Sequence, residues 1–147
     1  MDGDHLATHE FPATLKEALA SGRVELPGNL LYEYEDISVY RGVKYTKNKT
    51  EIDETDFYSH VERSLPGVDI DDINNYSCSI FEDLEELRMW TKFPNRRKAI
   101  AKGIIRQQYG PRDEADKKTH INLFLYDNTD IYKEFEVYEI WEENGLN

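Results

Sequence analysis

The sequence predicts an α+β fold, a single domain whose mainly antiparallel sheet is joined by about three helices. Helical spacing of apolar residues appears in the first two thirds of the chain, strand-like segments dominate the last third, and the two do not alternate regularly. The chain has 147 residues, of which 39% are hydrophobic and 12% aromatic, enough for one core without staples. We expect this domain over residues 12–147, preceded by a flexible arm over residues 1–11.

Three segments predict the helices: residues 14–22, 56–64 and 81–90. The first and the third follow the form of a capping box, Thr14-x-x-Glu17 and Ser79-x-x-Glu82, which satisfies free backbone N–H groups at a helix start. Pro66-Gly67 ends the second segment.

Strands are predicted where β-branched and aromatic residues concentrate. The first two thirds of the chain have two such stretches: residues 30–45, which predict one or two strands ending at Arg41-Gly42, and residues 76–81. The last third has three, which predict a C-terminal β-meander over residues 98–107, 119–127 and 133–141.

Charge is distributed unevenly along the chain. The 18 basic and 30 acidic residues give a net charge of −12, which argues against general nucleic-acid binding because phosphate backbones attract Lys and Arg. Residues 91–118 reverse the sign and predict a basic segment that faces an anion or an acidic partner; its candidate residues are Arg96, Arg97, Lys98, Lys102 and Arg106. The alternative is a solvated basic surface that compensates acidic neighbours.

Several site classes have no support in the sequence. Cys78 is the single cysteine, so the chain has no Cys-rich metal site and no redox pair, and we expect no bound metal. No apolar run is long enough to span a membrane, and the first residues lack the order of a signal peptide, so we expect a cytoplasmic protein with no membrane partner. Motifs for phosphate loops, zinc proteases and serine hydrolases are missing.

Three short motifs occur in order: Tyr40-Arg41-Gly42, Ser77-Cys78-Ser79 and Glu134-Phe135-Glu136. This succession resembles that of mono-ADP-ribosyltransferase domains. The resemblance implies NAD as cofactor, with Arg41 on its phosphate, Ser77 and Ser79 around the nicotinamide ribose, and Glu136, after Glu134, stabilising the cationic sugar as nicotinamide leaves. The strand from Thr119 also fits the place of the family's glutamate strand. There this chain has His120 and Asn122, so a noncatalytic relative is the alternative.

Two functions follow as the main hypotheses, and whether the protein is an enzyme stays open between them. A housekeeping subunit of a larger assembly is a third alternative. The first is a small acidic protein-binding accessory or inhibitor, such as an immunity protein, an antitoxin or an anti-defence factor, that binds a basic protein. Its surface is expected to be rich in tyrosine, a residue favoured at interfaces, around Tyr32, Tyr34, Tyr40, Tyr45 and Tyr58. The second is an ADP-ribosyltransferase-like domain that binds or cleaves NAD or a related nucleotide.

Overall fold

A computed structural model describes residues 10–92, 97–113 and 120–140. Its five antiparallel strands form one sheet with the order β4-β2-β1-β3-β5. The strands are β1 (Ile37–Lys44), β2 (Cys78–Phe81), β3 (Lys98–Ile105), β4 (His120–Leu123) and β5 (Phe135–Ile140). Two α-helices, α1 (Ala13–Ala20) and α2 (Leu84–Thr91), accompany it. The predicted α+β class and antiparallel sheet are confirmed.

The three C-terminal strands form, but the predicted meander is wrong. β4 pairs with β2 at one edge of the sheet, whereas β5 pairs with β3 at the other edge. Residues 124–134 therefore cross the sheet between its two edges. Alternation of apolar and polar residues predicts that a segment is a strand, but it carries no information about which strand becomes its neighbour.

The central strand β1 separates two differently covered faces of the sheet. Val39 and Val43 point to what we call the core face, where side chains from all five strands are buried, and the strand continues through Arg41-Gly42 rather than ending there. Tyr40 points to the opposite face, which α2 covers in part through Leu87. We call this second side the α2 face.

Helix α2 begins at a different cap from the one predicted. Ser79 lies in β2, and Asp83 is the N-cap residue, its side chain accepting a hydrogen bond from the Glu85 N–H. The helix ends at Thr91, and the next residue, Lys92, caps it with a left-handed backbone conformation. A β-carbon at Gly42 would lie 3.2 Å from Thr91, so the lack of a side chain there allows α2 to pack closely on β1.

Helix α1 forms where predicted, although Thr14 does not cap it. The helix starts one residue earlier, after Pro12, with no side-chain cap. Its buried residues Leu15 and Ala18 pack with Tyr76 and Phe124 in a second hydrophobic cluster. This cluster attaches the helix to the segment that follows β4.

The predicted helix over residues 56–64 is wrong. A short 3₁₀ helix over Glu54–Phe57 forms instead, and turns follow it. The side chains of Asp53 and Asp56 cap its start reciprocally, and extended backbone at Tyr58 ends it. The apolar residues at 57 and 61 have helical spacing, but this local capping determines the backbone.

The predicted arm lies mostly outside the described residues, since the description begins at Glu10. Glu10 accepts a backbone hydrogen bond from Asp127, and the Phe11 ring lies 5.3 Å from that of Tyr126. Both residues thus contact the folded body. Among the described residues, no helix has the length and hydrophobicity needed to cross a membrane.

Candidate functional sites

A row of polar side chains connects β2 and β4. Ser79 pairs with Asn122 across the two strands, and the Ser77 Oγ lies 3.1 Å from the Asn122 Oδ1. The Asn122 Nδ2 in turn donates to the Asp113 Oδ2 at 2.8 Å. Four of the residues proposed from the resemblance, Ser77, Ser79, His120 and Asn122, therefore do lie together.

His120 is held in this row by ring stacking. Its Nε2 lies 3.1 Å from the Ser79 Oγ, and its ring stacks on Phe81 at 4.8 Å and on Trp90 at 6.0 Å. A hydroxyl bonded to an imidazole is the pair that nucleophilic catalysis uses. Neither of the two cavities described below is lined by this pair, and the stacking connects His120 to the exposed ring of Trp90.

Arg41 points to the core face, away from that row. Its Nε donates to the backbone oxygen of Asp56 at 2.8 Å, and its Nη1 donates to that of Ser79 at 2.6 Å. The guanidinium also lies 5.6 Å from the centre of the Phe57 ring. These contacts attach the loop after β1 to β2, so the arginine has a structural role.

Three cationic side chains contact the buried residue Asp56, one at its carboxylate and two at its backbone oxygen. The carboxylate accepts from the Lys49 Nζ at 2.6 Å, and the Arg63 Nη2 lies 3.4 Å from the Asp56 backbone oxygen that Arg41 also uses. Burial lowers the pKa of Lys98, and the charges of Arg41 and Arg63 lower it further. This cluster was not predictable from the sequence, because its members come from three separate segments.

The two glutamates of the third motif lie far from Arg41 and the serines. Glu136 pairs with Lys102, which pairs with Tyr40, so Glu136 projects from the α2 face and Arg41 from the core face. Three strand spacings, about 14 Å, separate β5 from β2. The residues carried over from the resemblance therefore do not form one pocket.

Glu134 has structural partners of its own. Its carboxylate accepts from the Tyr109 hydroxyl at 2.8 Å and lies 3.3 Å from the Arg106 Nη2. The hydrogen bond from Tyr109 and then the one from Arg106 lower the pKa of Glu134. Arg106 also pairs with Asp36, so this part of the basic segment compensates acidic neighbours.

The rest of the basic segment does not form one anion-facing surface in the described residues. The Lys102 Nζ lies over the rings of Tyr40 and Tyr138, at 5.8 and 5.5 Å from their centres. Arg97 is exposed and Lys98 is half-buried, while Arg96 lies outside the described residues.

The predicted tyrosine surface is dispersed. Tyr32 is exposed, whereas the hydroxyl of Tyr34 is bonded to the backbone oxygens of Arg106 and Gly110, and Tyr45 packs against the core. Tyr40 is half-buried beside Lys102, and Tyr58 lines a cavity elsewhere. The sequence could not separate buried from exposed tyrosines, because both types occur in strands and loops.

Exposed apolar side chains concentrate instead on the α2 face. In the described part of the chain, seven large hydrophobic residues are exposed, and four of them belong to α2 or to the sheet beside it. These four residues, which we call the α2 surface, are Met89, Trp90, Ile104 and Tyr138, with exposed fractions of 78, 61, 36 and 50%. One of the four, Ile104, also lines a shallow groove of about 330 Å³ together with Lys102 and Glu136.

Acidic side chains lie along one border of the α2 surface. Glu82, Asp83 and Glu85 are exposed at the start of α2. Further along, Arg88 pairs with both Glu85 and Glu139. The α2 surface thus carries apolar side chains beside an acidic border, and the Arg88–Glu139 ion pair joins the helix to β5.

Within residues 10–92, 97–113 and 120–140, no group of three or more His, Cys, Asp or Glu side chains is placed to hold a metal ion. Comparison with protein-family models, with curated proteins and with solved structures found no match to this chain.

Proposed function

We propose that this protein is a small acidic protein-binding accessory or inhibitor that docks on a basic protein partner through its α2 surface. One observation carries the proposal: most of the exposed large hydrophobic side chains in the described residues lie on one face. Soluble proteins expose such groups singly, and their concentration on one face is typical of an interaction site.

The aromatic residues of the α2 surface, Trp90 and Tyr138, are of the types that protein interfaces use. Tryptophan and tyrosine are the commonest energetic centres of interfaces, since they bury a large area and lose little conformational freedom. Trp90 is supported from behind by His120 and Phe81, and Tyr138 meets Tyr40 edge-on at 5.6 Å. Both rings are thereby oriented before a partner arrives.

The charge of the molecule favours a basic partner. The net charge of −12 and the acidic border at the start of α2 would steer a positively charged surface toward the α2 surface. Steering of this kind weakens as salt is added, because ions screen exposed charges. The buried free thiol of Cys78 fits the reducing cytoplasm in which we expect the complex to form.

The test compares capture of source-lysate proteins by three forms of the immobilised protein. The wild-type protein is expected to retain a basic protein at low salt and to release it at high salt. A Trp90→Ala/Tyr138→Ala variant should lose that protein, whereas a Leu65→Ala/Ile70→Ala control, which removes exposed apolar groups elsewhere, should retain it. Equal retention by all three forms would reject the α2 surface as the binding site.

The nucleotide hypothesis has its own test. Under it, millimolar NAD or ADP-ribose raises the melting temperature, since a ligand bound by the folded state alone stabilises that state. We expect no such shift, because the donors of Arg41 are directed to backbone oxygens. A shift that disappears in a stably folded Arg41→Lys variant would instead favour the nucleotide function.

A further inference from the structure

A second site lies away from the α2 surface, between the 3₁₀ helix Glu54–Phe57 and residues 125–132. It is a cavity of about 90 Å³. Its lining combines aromatic rings with carboxylates. The rings are those of Phe57, Tyr58, Tyr126 and Tyr132, and the carboxylates are those of Glu54, Glu62, Asp127 and Asp130. We propose that this cavity binds an organic cation, a guanidinium or alkylammonium group.

The size of the cavity suits such a group. One water molecule needs about 10–15 Å³ of comparable space, so the cavity accepts the charged end of an arginine or lysine side chain. Aromatic rings attract a cation over their faces, and the attraction increases where water is partly excluded. Phe57 is buried and Tyr58, Tyr126 and Tyr132 are half-buried, so the cavity has that partly excluded character.

Tyr58 lines the cavity together with the carboxylates of Glu54, Glu62, Asp127 and Asp130. Burial raises the pKa of Tyr58, and the charges of Glu54, Glu62 and Asp127 raise it further, which places negative potential around the phenol. Among the residues that the structure describes, no lysine or arginine lines the cavity.

The rim already holds an ammonium group from this chain. The Lys133 Nζ lies 3.4 Å from the Asp130 Oδ2 and 5.9 Å from the centre of the Tyr132 ring. Asp130 and Tyr132 both line the cavity, whereas Lys133 lies outside it. A carboxylate and a ring that bind an ammonium at the rim show the chemistry that we assign to the interior.

This site is independent of the proposed function. Phe57 and Ile131 of its lining belong to the core on the face of the sheet opposite α2. A failure of cation binding in the cavity would therefore not count against protein binding at the α2 surface, and the reverse also holds.

The experiment is an NMR titration of the ¹⁵N-labelled protein with ethylguanidinium chloride and, separately, with n-butylammonium chloride. Sodium chloride at equal ionic strength is the reference. We expect saturable shifts of the amide signals of Tyr58, Thr129 and Ile131 that sodium chloride does not produce. Shifts equal to those in sodium chloride would overturn the proposal.

Two variants make the test specific. Glu54→Gln removes one exposed charge from the lining and is expected to weaken binding about two- to fivefold, the effect of one exposed ion pair. Glu33→Gln, an exposed carboxylate outside the lining, should leave binding unchanged. An unchanged affinity in Glu54→Gln, or an equal loss in both variants, would also contradict the assignment.

A further pair of probes distinguishes the source of the cation. The peptide Gly-Gly-Arg-Gly-Gly is compared with free ethylguanidinium and with the same peptide carrying citrulline, which has no charge. Tighter binding of the arginine peptide than of free ethylguanidinium indicates a side chain of a protein partner. Equal affinity indicates a small free cation, and binding of the citrulline peptide as tight as that of the arginine peptide would refute charge recognition.

Discussion

At the scale of single residues, Arg41 lies at a position of β1 whose side chain must point to the core face, because side chains alternate between the two faces along a strand. Val39 and Val43 on either side of it are fully buried. The arginine is accommodated because two of its donors meet the backbone oxygens of Asp56 and Ser79. Buried backbone acceptors need partners, and the arginine donates one hydrogen bond to each of these two oxygens.

Replacement of Arg41 by alanine is therefore expected to lower the free energy of unfolding by about 2 kcal/mol, because it removes charged donors from two carbonyl groups. Arg41→Lys should recover part of the loss. Urea denaturation measures the change. Arg23→Ala, which breaks an exposed ion pair with Asp71, is the control and should change the free energy of unfolding by less than about 1 kcal/mol. Equal losses of stability in Arg41→Ala and Arg23→Ala would contradict the structural role of Arg41.

Gly110 is a position that accepts no other residue. Its φ of +143° is open to glycine, and a β-carbon there would clash with the Phe124 backbone oxygen and lie 3.0 Å from the carbonyl carbon of the same residue. Gly110→Ala should cost about 3 kcal/mol or more, or prevent folding. Gly28→Ala, where the space is empty, should leave the melting temperature nearly unchanged. Similar melting temperatures for the two variants would contradict this account.

At the scale of elements, caps and hydrogen bonds determine where segments begin and end. The strands were predictable because their apolar residues alternate over short stretches, and α1 and α2 were predictable from spacing. The helix expected over residues 56–64 does not form. The side chains of Asp53 and Asp56 cap a 3₁₀ helix there instead, and apolar spacing does not reveal this. A capping-box pattern at Ser79 was misleading because the same residue was needed in β2.

The cap of α2 gives a prediction at this scale. Asp83→Ala removes the side-chain acceptor of the Glu85 N–H and a favourable negative charge at the helix start, so it should lower stability by about 1 kcal/mol. Thermal unfolding followed by circular dichroism measures this loss. Glu82→Ala, one residue earlier and exposed, is the matched control; a loss as large in Glu82→Ala would mean that general acidity, not the cap, matters.

At the scale of the whole molecule, strand register separates residues that the sequence suggested would act together. Arg41 and Glu136 project from opposite faces of the sheet because Tyr40, not Arg41, shares a row with Lys102 and Glu136. The grouping of Ser77, Ser79, His120 and Asn122 is present because β2 happens to pair with β4. Neither outcome follows from motifs alone, since register arises from pairings between distant segments.

The free energy of unfolding at high pH should depend on two tyrosines whose pKa values are raised in the folded protein. Burial, followed by the bonded carboxylate of Glu134, raises the pKa of Tyr109 to about 12, and burial raises the pKa of Tyr34 above its ordinary value of 10.0. The folded state therefore keeps protons that the unfolded chain releases, so the free energy of unfolding should fall as pH rises from about 10 toward 12.

Absorbance at 295 nm, which reports tyrosinate, and circular dichroism should be followed together. We expect part of the tyrosinate signal to appear only as the chain unfolds, with Tyr109→Phe reducing that part. Titration of every tyrosine near pH 10 while the fold persists would contradict the burial of these hydroxyl groups.

The strand order also has a consequence for folding speed. Ile37 pairs with Ile105, 68 positions later, and Cys78 pairs with Leu123, 45 positions later. Few contacts of the sheet are local, so the ends of long loops must meet before most hydrogen bonds can form. Refolding should therefore occur in milliseconds to seconds, as in other proteins with distant pairings, rather than in microseconds. During that interval the apolar side chains of the α2 surface and the unpaired β-edges are exposed together, and the charge of −12 is what keeps two such chains apart.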